Sequence, residues 1–258
     1  MGQHSYGWRR QTLYYPADRQ YVRPSHLLAV PLPDTWDMRP GMPGIYDQGS
    51  CGSCTGNGIA GAIEYRRRLQ KLPDFVPSRL FIYWNERVIE GTTASDAGAE
   101  IRDGITSVMQ QGACSEDGSG PNVWSYDLDN LLVSPPQTCF DAAKTNLVQD
   151  SANVDNTNVD LIRSAIASGY PIPFGFTVYG GYENLLSDSI VPMPDTISVP
   201  LGGHCNLLCG YDHPNRLFLS RNSWGKNWGL SGYCWFPYDY ITNTDYCADF
   251  WQVETVGT

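Results

Sequence analysis

The sequence has 258 residues, of which 41% are hydrophobic and only 17% are charged, and its formal net charge is −10 at pH 7. The hydrophobic share is large enough for the core of one or two globular domains, whereas the low share of charged residues argues against a coiled coil. An acidic chain whose longest basic run is Arg66 to Arg68 is repelled by nucleic acid and by anionic membranes, so neither is an expected partner.

No stretch of the sequence approaches the ~18 consecutive apolar residues that a membrane-spanning helix needs. The polar residues at its beginning also lack the apolar core of a secretory signal. We therefore expect a cytoplasmic protein from the sequence as it stands, or a secreted one if a leader has been removed.

Residues 1–33, which we call the arm, are rich in Tyr, Arg and Pro and show no sustained period, which predicts an extended segment. Two of the four histidines, His4 and His26, belong to it. The arm is too short for a domain of its own, so its order must come from contacts with the globular body, which begins near Asp34.

Four helices are predicted from apolar residues that recur at helical spacing. The first begins at Cys54, and its several glycines indicate that it is buried with other backbone packed closely against it. The other three are bounded by capping or stop residues and are expected from Ser78 to Gly91, from about Asp96 to Gly112, and from Val159 to Gly169.

The second half of the chain changes to strand patterning, with predicted strands at 172–178, 204–211, 217–221 and 233–236. Helices gathered first and strands gathered second indicate an α+β protein with two lobes and a cleft between them. We expect a mainly helical lobe over residues 34–150 and a mainly β lobe over residues 151–258.

A glycine-rich turn at residues 47–53 delivers Cys54 to the first turn of the first predicted helix. A helix N-terminus carries unpaired N–H groups and partial positive charge, which stabilise a thiolate and lower the pKa of a cysteine. A lone cysteine at such a place is more often an inert buried residue, so its role depends on the residues around it.

Two later segments supply the groups that a nucleophilic cysteine needs. His204 follows Gly203 at the head of a predicted apolar strand, and Asn222 opens the Trp- and Gly-rich segment 222–229. Taken singly, each is typical of a strand end or a tight loop. Together with Cys54 they supply a nucleophile, a base and a neutral group that orients the base, which is the logic of a catalytic triad.

The three blocks at 48–54, 203–204 and 222–229 resemble, in this order, the active-site blocks of the papain family of cysteine peptidases. The segments 95–98 and 102–105 resemble the bacterial branch of that family. The likeness extends over about residues 32 to 255. It implies a papain-like α+β fold, with a helical left lobe, an antiparallel β-barrel-like right lobe and the active-site cleft between them.

The resemblance also implies a function and four catalytic residues. Cys54 would be the nucleophile, His204 the general base and then acid, Asn222 the residue that orients His204, and Gln48 the side-chain donor of the oxyanion hole. The implied protein is a thiol protease, a monomeric endopeptidase that cleaves proteins or peptides through a thioester and needs no metal or other cofactor.

Substrate-binding residues are carried over from the family in the same way, and they are Gly98, Ala99, Ile101, Gly175, Cys205 and Trp224. Three of them, Ile101, Gly175 and Cys205, would shape the S2 pocket, which the small Gly175 makes roomy.

The sequence departs from the family pattern at three positions. Thr55 stands where a tryptophan is usual, Gly203 where many members have Asp before the histidine, and Cys205 where a small apolar residue is usual. The departures at Thr55 and Cys205 concern the walls of the cleft. Gly203 lacks the carboxylate that modulates the ion pair between the catalytic cysteine and histidine. The four catalytic positions match the family.

A metal or redox site is the main alternative for the cysteines. Cys51 and Cys54 form a C-x-x-C pair that Cys205 and Cys209 would complete as a zinc site. Zinc ribbons usually repeat closely spaced knuckles, and such a site would leave Gln48, His204 and Asn222 without a role. A thioredoxin-like motif is disfavoured because no βαβ pattern precedes it.

Disulfide pairing stays open at this stage. If Cys54 is free for chemistry, seven of the eight cysteines remain, so at least one more is unpaired. Cys114 and Cys139 are the preferred pair, since both lie in the loop region that flanks the helical lobe, and Cys51 has no obvious partner.

Two other functions are compatible with this fold. One is a catalytically silent binding protein, which would have no need of all four catalytic positions. The other is an amidase or acyltransferase that uses the same triad. Alkylation of Cys54 would separate the binding protein from the enzymes, and a peptide-library profile would separate the two enzymes.

The family commonly carries an N-terminal pro-segment, and the arm is the candidate for it. Tyr6, Trp8, Tyr14, Tyr15 and Tyr21 offer large contact area at small entropic cost, and several prolines favour an extended chain. We expect the arm to fold back over the cleft and restrain a zymogen. The alternative is an arm that wraps the back of the β lobe or is disordered.

Overall fold

The structure is a computed structural model, and it describes residues 5–13, 15–25 and 30–256. The sequence features at His4, Tyr14 and His26 lie outside these residues. No helix in the described ranges is both long and apolar enough to cross a membrane.

The helices vary from one turn to four turns in length. In chain order they are α1 (Cys54–Leu69), α2 (Arg79–Glu90), α3 (Ile101–Gln110), α4 (Gln137–Ala143), α5 (Val159–Ala167), α6 (Gly180–Glu183) and α7 (Tyr238–Ile241). The strands are β1 (Thr35–Asp37), β2 (Val148–Asn153), β3 (Ile172–Tyr179), β4 (Pro200–Asp212), β5 (Leu217–Arg221), β6 (Tyr233–Pro237), β7 (Cys247–Ala248) and β8 (Trp251–Val256).

Local signals place most of the predicted helices correctly. Helix α1 begins at Cys54, as predicted. The side chain of Ser78 accepts a hydrogen bond from the backbone N–H of Phe81, and Gly91 ends α2 in the left-handed conformation with φ of 69°. The N-cap and the C-terminal glycine of α2 are therefore confirmed.

The predicted start of the third helix is wrong by five residues. Helix α3 begins at Ile101 instead of about Asp96, because Gly98 has a φ of +71° and the chain turns there. The carboxylate of Asp96 does not cap a helix; it accepts a hydrogen bond from the N–H of Gly52 at 2.9 Å. The short elements α4, β2 and β8 are not evident in the sequence pattern.

Strand β4 is the centre of a six-stranded antiparallel sheet. Five strands follow the order β6-β5-β4-β3-β7, and the sixth, β1, pairs with β4 beside this path. One edge of β4 pairs with β3 as far as Leu208 and then with β1 from Gly210. In the described part of the chain β6 and β7 do not pair with each other, so the sheet is open. The predicted α+β class is confirmed, whereas the strands predicted to form a β-barrel-like lobe do not form a closed barrel among the described residues.

Helix α1 lies between the other helices and the sheet. It packs against α2 and α3 on one side and against β4 on the other. The close approach to β4 requires Gly58, where a Cβ atom would lie 2.9 Å from the Sγ of Cys205. This confirms the prediction that the glycines of the first helix serve close packing, and it brings the N-terminus of α1 next to the middle of β4.

A separate two-stranded ribbon forms between β2 and β8. Strand β8 packs against α1, and β2 packs against α3, so the end of the chain lies against these helices. The predicted boundary between residues 150 and 151 falls within β2. The division into an arm and two lobes stays a prediction.

Candidate active site

Cys54 is the first residue of α1 and is completely buried. The turn before it is held by Asp96, whose carboxylate accepts from the N–H of Gly52 at 2.9 Å and from the hydroxyl of Tyr83 at 2.6 Å. A second tyrosine, Tyr126, bonds the hydroxyl of Ser53 at 2.5 Å. The two residues that precede Cys54 are thus both held by side-chain hydrogen bonds.

The thiol of Cys54 is not activated in this state of the chain. Burial and, to a smaller extent, the nearby carboxyl of Glu86 raise its pKa, which lies at about 12 against an ordinary 9.0. Backbone hydrogen bonds from Cys205, Gly7 and Thr55 lower the pKa and offset only part of this effect. The helix N-terminus therefore does not produce the low pKa expected from the sequence while Cys54 is shielded from water.

His204 and Asn222 meet across the sheet. The Nε2 atom of His204 lies 2.8 Å from the Oδ1 atom of Asn222, and both residues are buried. The indole of Trp224 lies over this pair with its ring centroid 4.8 Å from that of the imidazole. His204 lies inside β4 and not at its head, because the strand begins at Pro200.

Gln48 is fully buried beside the turn that carries Cys54. Its Oε1 atom accepts from the hydroxyl of Ser223 at 2.6 Å, which orients the amide. Its Nε2 atom donates to the carbonyl of Cys51 at 2.8 Å and to the carbonyl of Ser5, in the arm, at 3.1 Å. A carbonyl oxygen of the arm therefore occupies the donor that the sequence assigns to an oxyanion hole.

The arm crosses the cleft in an extended conformation. The N–H of Trp8 donates to the carbonyl of Gly203 at 2.9 Å, and Ala99 exchanges two backbone hydrogen bonds with Gly7 and Arg9 at 2.7 and 2.9 Å. The ring of Tyr6 lies 6.2 Å from that of Trp224. The backbone of Gly7 also interacts with the thiol of Cys54, so the arm contributes to its burial.

The indole of Trp8 fills a pocket beside Gly175. A Cβ atom at Gly175 would overlap the indole ring, so the pocket exists because this position has no side chain. Trp8 is only 5% exposed, and its Nε1 atom donates to the carboxylate of Asp249 at 3.3 Å. The predicted pocket near Gly175 is thus occupied by the arm's own tryptophan.

The arm contacts four of the six substrate-binding residues predicted from the sequence. A Cβ atom at Gly98 would overlap the backbone of Gly7, and Ala99, Gly175 and Trp224 are contacted as described above. The backbone N–H of Ile101 donates to Asp249, the residue that also binds Trp8. The thiol of Cys205 faces Gly58 of α1. The assignment of these six residues to substrate stays a prediction.

Comparison with known proteins agrees with this geometry. A family model described as papain family cysteine protease matches residues 32–248. The chain belongs to the papain family of cysteine proteases. It is therefore a cysteine peptidase, a hydrolase that acts on protein substrates, as the sequence predicted.

Two relatives align with most of the length of this papain-family chain. Xylellain, a cysteine protease from Xylella fastidiosa, is 36% identical with a TM-score of 0.87, over 98% of this chain and 97% of that one. An uncharacterized peptidase C1-like protein of Acanthamoeba polyphaga mimivirus is 36% identical over 81% of this chain and 69% of its own length. The predicted resemblance to the bacterial branch of the family is confirmed.

More distant neighbours share the fold alone. The procathepsin B S9 of Trypanosoma congolense is 14% identical with a TM-score of 0.74, over 98% of this chain and 87% of that one. The papain-like architecture is therefore retained far beyond recognisable sequence identity.

The remaining cysteines of this papain-family protein are free, buried thiols. Cys114 and Cys139 belong to one buried cluster and interact through their thiols, but they form no disulfide in the structure. Burial raises the pKa of Cys51 to about 11, and its thiol faces Asp96 at 3.9 Å. Among the described residues no group of three or more His, Cys, Asp or Glu side chains is arranged to hold a metal ion.

Sequence reasoning did not find four residues that support the site. Ser223 orients Gln48, Asp96 holds the turn before Cys54, and the carboxyl of Glu86 accepts from Thr55 at 2.5 Å behind the nucleophile. The fourth is Asp249, which follows β7 directly. Ser223, within the Asn222 block, and Asp96, within the segment 95–98, had a usable signal. Glu86 and Asp249 are far from these segments in sequence.

Proposed function

We propose that this papain-family protein is an endopeptidase whose catalytic group consists of Cys54, His204, Asn222 and Gln48. The hydrogen bond of 2.8 Å between His204 and Asn222 supports this most directly, because an amide oxygen on Nε2 fixes the orientation and tautomer of the imidazole without adding a charge. Burial alone would also give a histidine a partner, so the proposal depends on His204 and Asn222 occurring together with Cys54 and Gln48.

In the proposed reaction the thiolate of Cys54 attacks the carbonyl carbon of a peptide bond. The carbonyl oxygen becomes an oxyanion, which the Nε2 group of Gln48 and the backbone N–H of Cys54 stabilise. The imidazolium of His204 gives its proton to the leaving amine, and a thioester remains on Cys54. A water molecule, deprotonated by His204, then attacks the thioester and releases the acid.

The arm acts in this proposal as a pro-segment that closes the cleft. The Ser5 carbonyl lies at Gln48, and the side chain of Trp8 fills the pocket beside Gly175. In a substrate, the residue in an S2 pocket precedes the residue whose carbonyl is attacked, whereas in the arm Trp8 follows Ser5. The arm thus runs opposite to a substrate and resists cleavage while it fills the site.

Two domains of the proposed enzyme supply different parts of the site. The helical lobe, residues 34–150, carries Gln48 and Cys54, and the β lobe, residues 151–258, carries His204 and Asn222. The arm, residues 1–33, contacts both lobes, through Ala99 on one side and Gly203 on the other.

The first test is the pH profile of a full-length chain carrying Trp8→Ala, from which the main anchor of the arm is removed. We expect a bell-shaped kcat/KM on a fluorogenic peptide, because the reactive pair needs Cys54 deprotonated and His204 protonated. Activity should rise as Cys54 loses its proton and fall as His204 loses its own.

The intact chain should behave differently when the thiol is alkylated. With its pKa raised to about 12, Cys54 is protonated at neutral pH, so the alkylation rate should keep rising throughout the alkaline range. The proposal of an activated pair would be contradicted if the Trp8→Ala chain showed this same monotonic rise through the ordinary thiol range of ~8–9.

Gln48→Ala in the Trp8→Ala chain should lower kcat by about 10²–10³-fold, the usual cost of removing one oxyanion donor. Ser223→Ala is the matched control, since it removes only the group that orients Gln48 and should cost less. Initial rates and melting temperatures are measured for both variants. A Gln48→Ala chain with unchanged kcat would remove Gln48 from the catalytic group.

A further inference from the structure

A buried arginine lies behind the catalytic turn, the name used here for residues 47–54. Arg79, the first residue of α2, is only 8% exposed. Its Nε and Nη2 atoms donate to the carboxylate of Glu116 at 2.9 and 2.6 Å. Its Nη1 atom donates to the backbone carbonyl of Asp47 at 3.1 Å and to the side-chain Oδ1 of Asn57 at 3.0 Å. The guanidinium thus connects α2 to the start of the catalytic turn and to the first turn of α1.

Hydrogen bonds continue from this guanidinium to both ends of the catalytic turn. Because a guanidinium only donates, the Oδ1 of Asn57 accepts, and the Nδ2 of Asn57 donates to the carbonyl and hydroxyl oxygens of Ser53 at 2.9 and 3.1 Å. The hydroxyl of Tyr126 donates its one hydrogen to the carbonyl of Gln48 at 3.0 Å. It therefore accepts from the hydroxyl of Ser53, which lies 2.5 Å away. The donor-only arginine sets the direction of every bond in this chain.

The positive charge of Arg79 is balanced inside the protein. Burial lowers the pKa of Arg79, but the hydrogen bonds and the charge of Glu116 raise it by more, so the guanidinium keeps its proton. The rings of Tyr46 and Tyr126 lie beside the guanidinium, with their centroids 4.6 and 3.7 Å from its Cζ atom. A planar cation that is held by two bonds to one carboxylate and lies against aromatic rings has little freedom to move. It is a rigid support for the turn.

The two donors proposed for the oxyanion hole lie next to the groups that this network holds. One donor is the Nε2 group of Gln48, and the network binds the carbonyls of Asp47 and Gln48. The other donor is the backbone N–H of Cys54, and the network binds Ser53 directly before it. Donors that are already in place when charge develops on the oxygen need no reorganisation, so their spacing affects the rate. One guanidinium therefore fixes the backbone next to both donors.

We propose that Arg79 is a positioning residue, which holds the side chain of Gln48 and the backbone N–H of Cys54 at the spacing that the oxyanion needs. The inference rests on the proposed function, because it takes these two groups to be the oxyanion hole. Arg79 acts on the reaction only through the catalytic turn. Its replacement should therefore weaken binding of the transition state, and leave substrate binding and the reactivity of the thiol unchanged.

The first test is Arg79→Lys in the full-length Trp8→Ala chain, in which the main anchor of the arm is removed. Lysine keeps the charge, but its single ammonium cannot reproduce the planar set of donors that binds Glu116 and the turn together. We expect kcat on a fluorogenic peptide to fall about tenfold to a hundredfold, and KM to change by less than about twofold. Alkylation of Cys54 by iodoacetamide forms no oxyanion, so its rate should stay the same.

Arg66→Lys in the same chain is the matched control. Arg66 is also 8% exposed and lies over an aromatic ring, that of Tyr170, at 4.4 Å from its centroid. Its guanidinium donates to the carbonyls of Gly169 and Glu254 at 2.9 and 3.0 Å, at the opposite end of α1 from the catalytic turn. Loss of a buried arginine should lower the melting temperature in both variants. Only Arg79→Lys should lower kcat.

A second variant removes one link of the chain and keeps the arginine. Tyr126→Phe retains the ring beside the guanidinium but loses the hydroxyl that binds Gln48 and Ser53. We expect kcat to fall about threefold to tenfold with KM unchanged, the usual effect of one hydrogen bond. Tyr46→Phe is its control, because that ring also lies beside the guanidinium whereas its hydroxyl donates to Glu64 on α1. It should leave kcat unchanged.

Combining Arg79→Lys with Gln48→Ala separates an effect on the oxyanion from a general loss of order. If Arg79 acts by placing Gln48, its replacement should cost less in a chain that has already lost the side chain of Gln48. The part of the loss that remains is due to the backbone N–H of Cys54. An equal fold-loss of kcat with and without Gln48 would contradict the proposed role.

The outcomes distinguish this inference from the proposed function. Unchanged kcat in both Arg79→Lys and Tyr126→Phe, or an equal loss of kcat in Arg66→Lys, would overturn the role of Arg79 while the peptidase stands. If the Trp8→Ala chain hydrolysed no peptide although its Cys54 was alkylated normally, the proposed function would be wrong and this inference with it. Tyr126→Phe removes a single hydroxyl, so it decides the matter even if Arg79→Lys fails to fold.

Discussion

Replacing Cys54 with Ala in the Trp8→Ala chain should abolish peptide hydrolysis, with kcat reduced by about 10⁴–10⁶-fold. The physical reason is that the thiolate forms the covalent bond to the substrate, and no other group at the start of α1 can replace it. The loss of one sulfur at a helix terminus is small beside the rest of the core, so the fold should survive. Initial rates on a fluorogenic peptide and the melting temperature measure both effects.

Cys51→Ala is the matched control for this experiment. Cys51 lies three residues before Cys54, is equally buried, and has a pKa raised to about 11 with its thiol facing Asp96. Its carbonyl, which Gln48 binds, is retained in the variant. Near-normal turnover is expected for Cys51→Ala. Substantial activity in Cys54→Ala would show that another residue is the nucleophile.

Trp8→Ala in the otherwise intact chain should speed alkylation of Cys54 by at least about a hundredfold. Truncating a buried tryptophan costs about 3–5 kcal/mol, and this cost falls on the closed arrangement of the arm because Trp8 is its deepest contact. Opening hydrates the thiol, whose pKa then falls from about 12 towards the ordinary cysteine value of ~8.5 or lower. Rates of reaction with iodoacetamide at pH 7 measure the change.

Trp36→Ala is the control for loss of a tryptophan elsewhere. Trp36 lies on β1, is 36% exposed, and pairs with Tyr211 at the far end of β4. Its removal should leave the alkylation rate of Cys54 unchanged. If Trp8→Ala lowered the melting temperature strongly while alkylation stayed slow, the arm would be a structural part of the body and not a cover that opens.

The arm has a second contact region that the Trp8 variant leaves in place. Tyr21 donates its N–H to the carbonyl of Asn153 at 2.7 Å, and its hydroxyl lies 3.1 Å from that of Ser164. Arg102 pairs with Asp18 at 2.8 Å. The arm therefore both crosses the cleft and wraps the body. A point change at Trp8 tests the cleft contact alone, which deletion of the whole arm would not do.

The catalytic blocks and most helices can be predicted from local sequence patterns. The start of α1 at Cys54, the cap at Ser78 and the stop at Gly91 follow from groups that bond within a few residues, so the sequence alone predicts them. The order of the glutamine, cysteine, histidine and asparagine blocks was enough to predict the family, because few folds require that combination.

Other features were decided only by the tertiary structure, because they depend on residues that are distant in sequence. Strand β8 gains its partner from β2 about a hundred residues earlier, and the sequence pattern of neither shows this. Asp249 becomes a pocket floor only because β7 pairs with β3 and Trp8 returns from the other end of the chain. The pKa of Cys54 also has a tertiary cause. A helix N-terminus lowers the pKa of a thiol, and burial beneath the arm raises it by more.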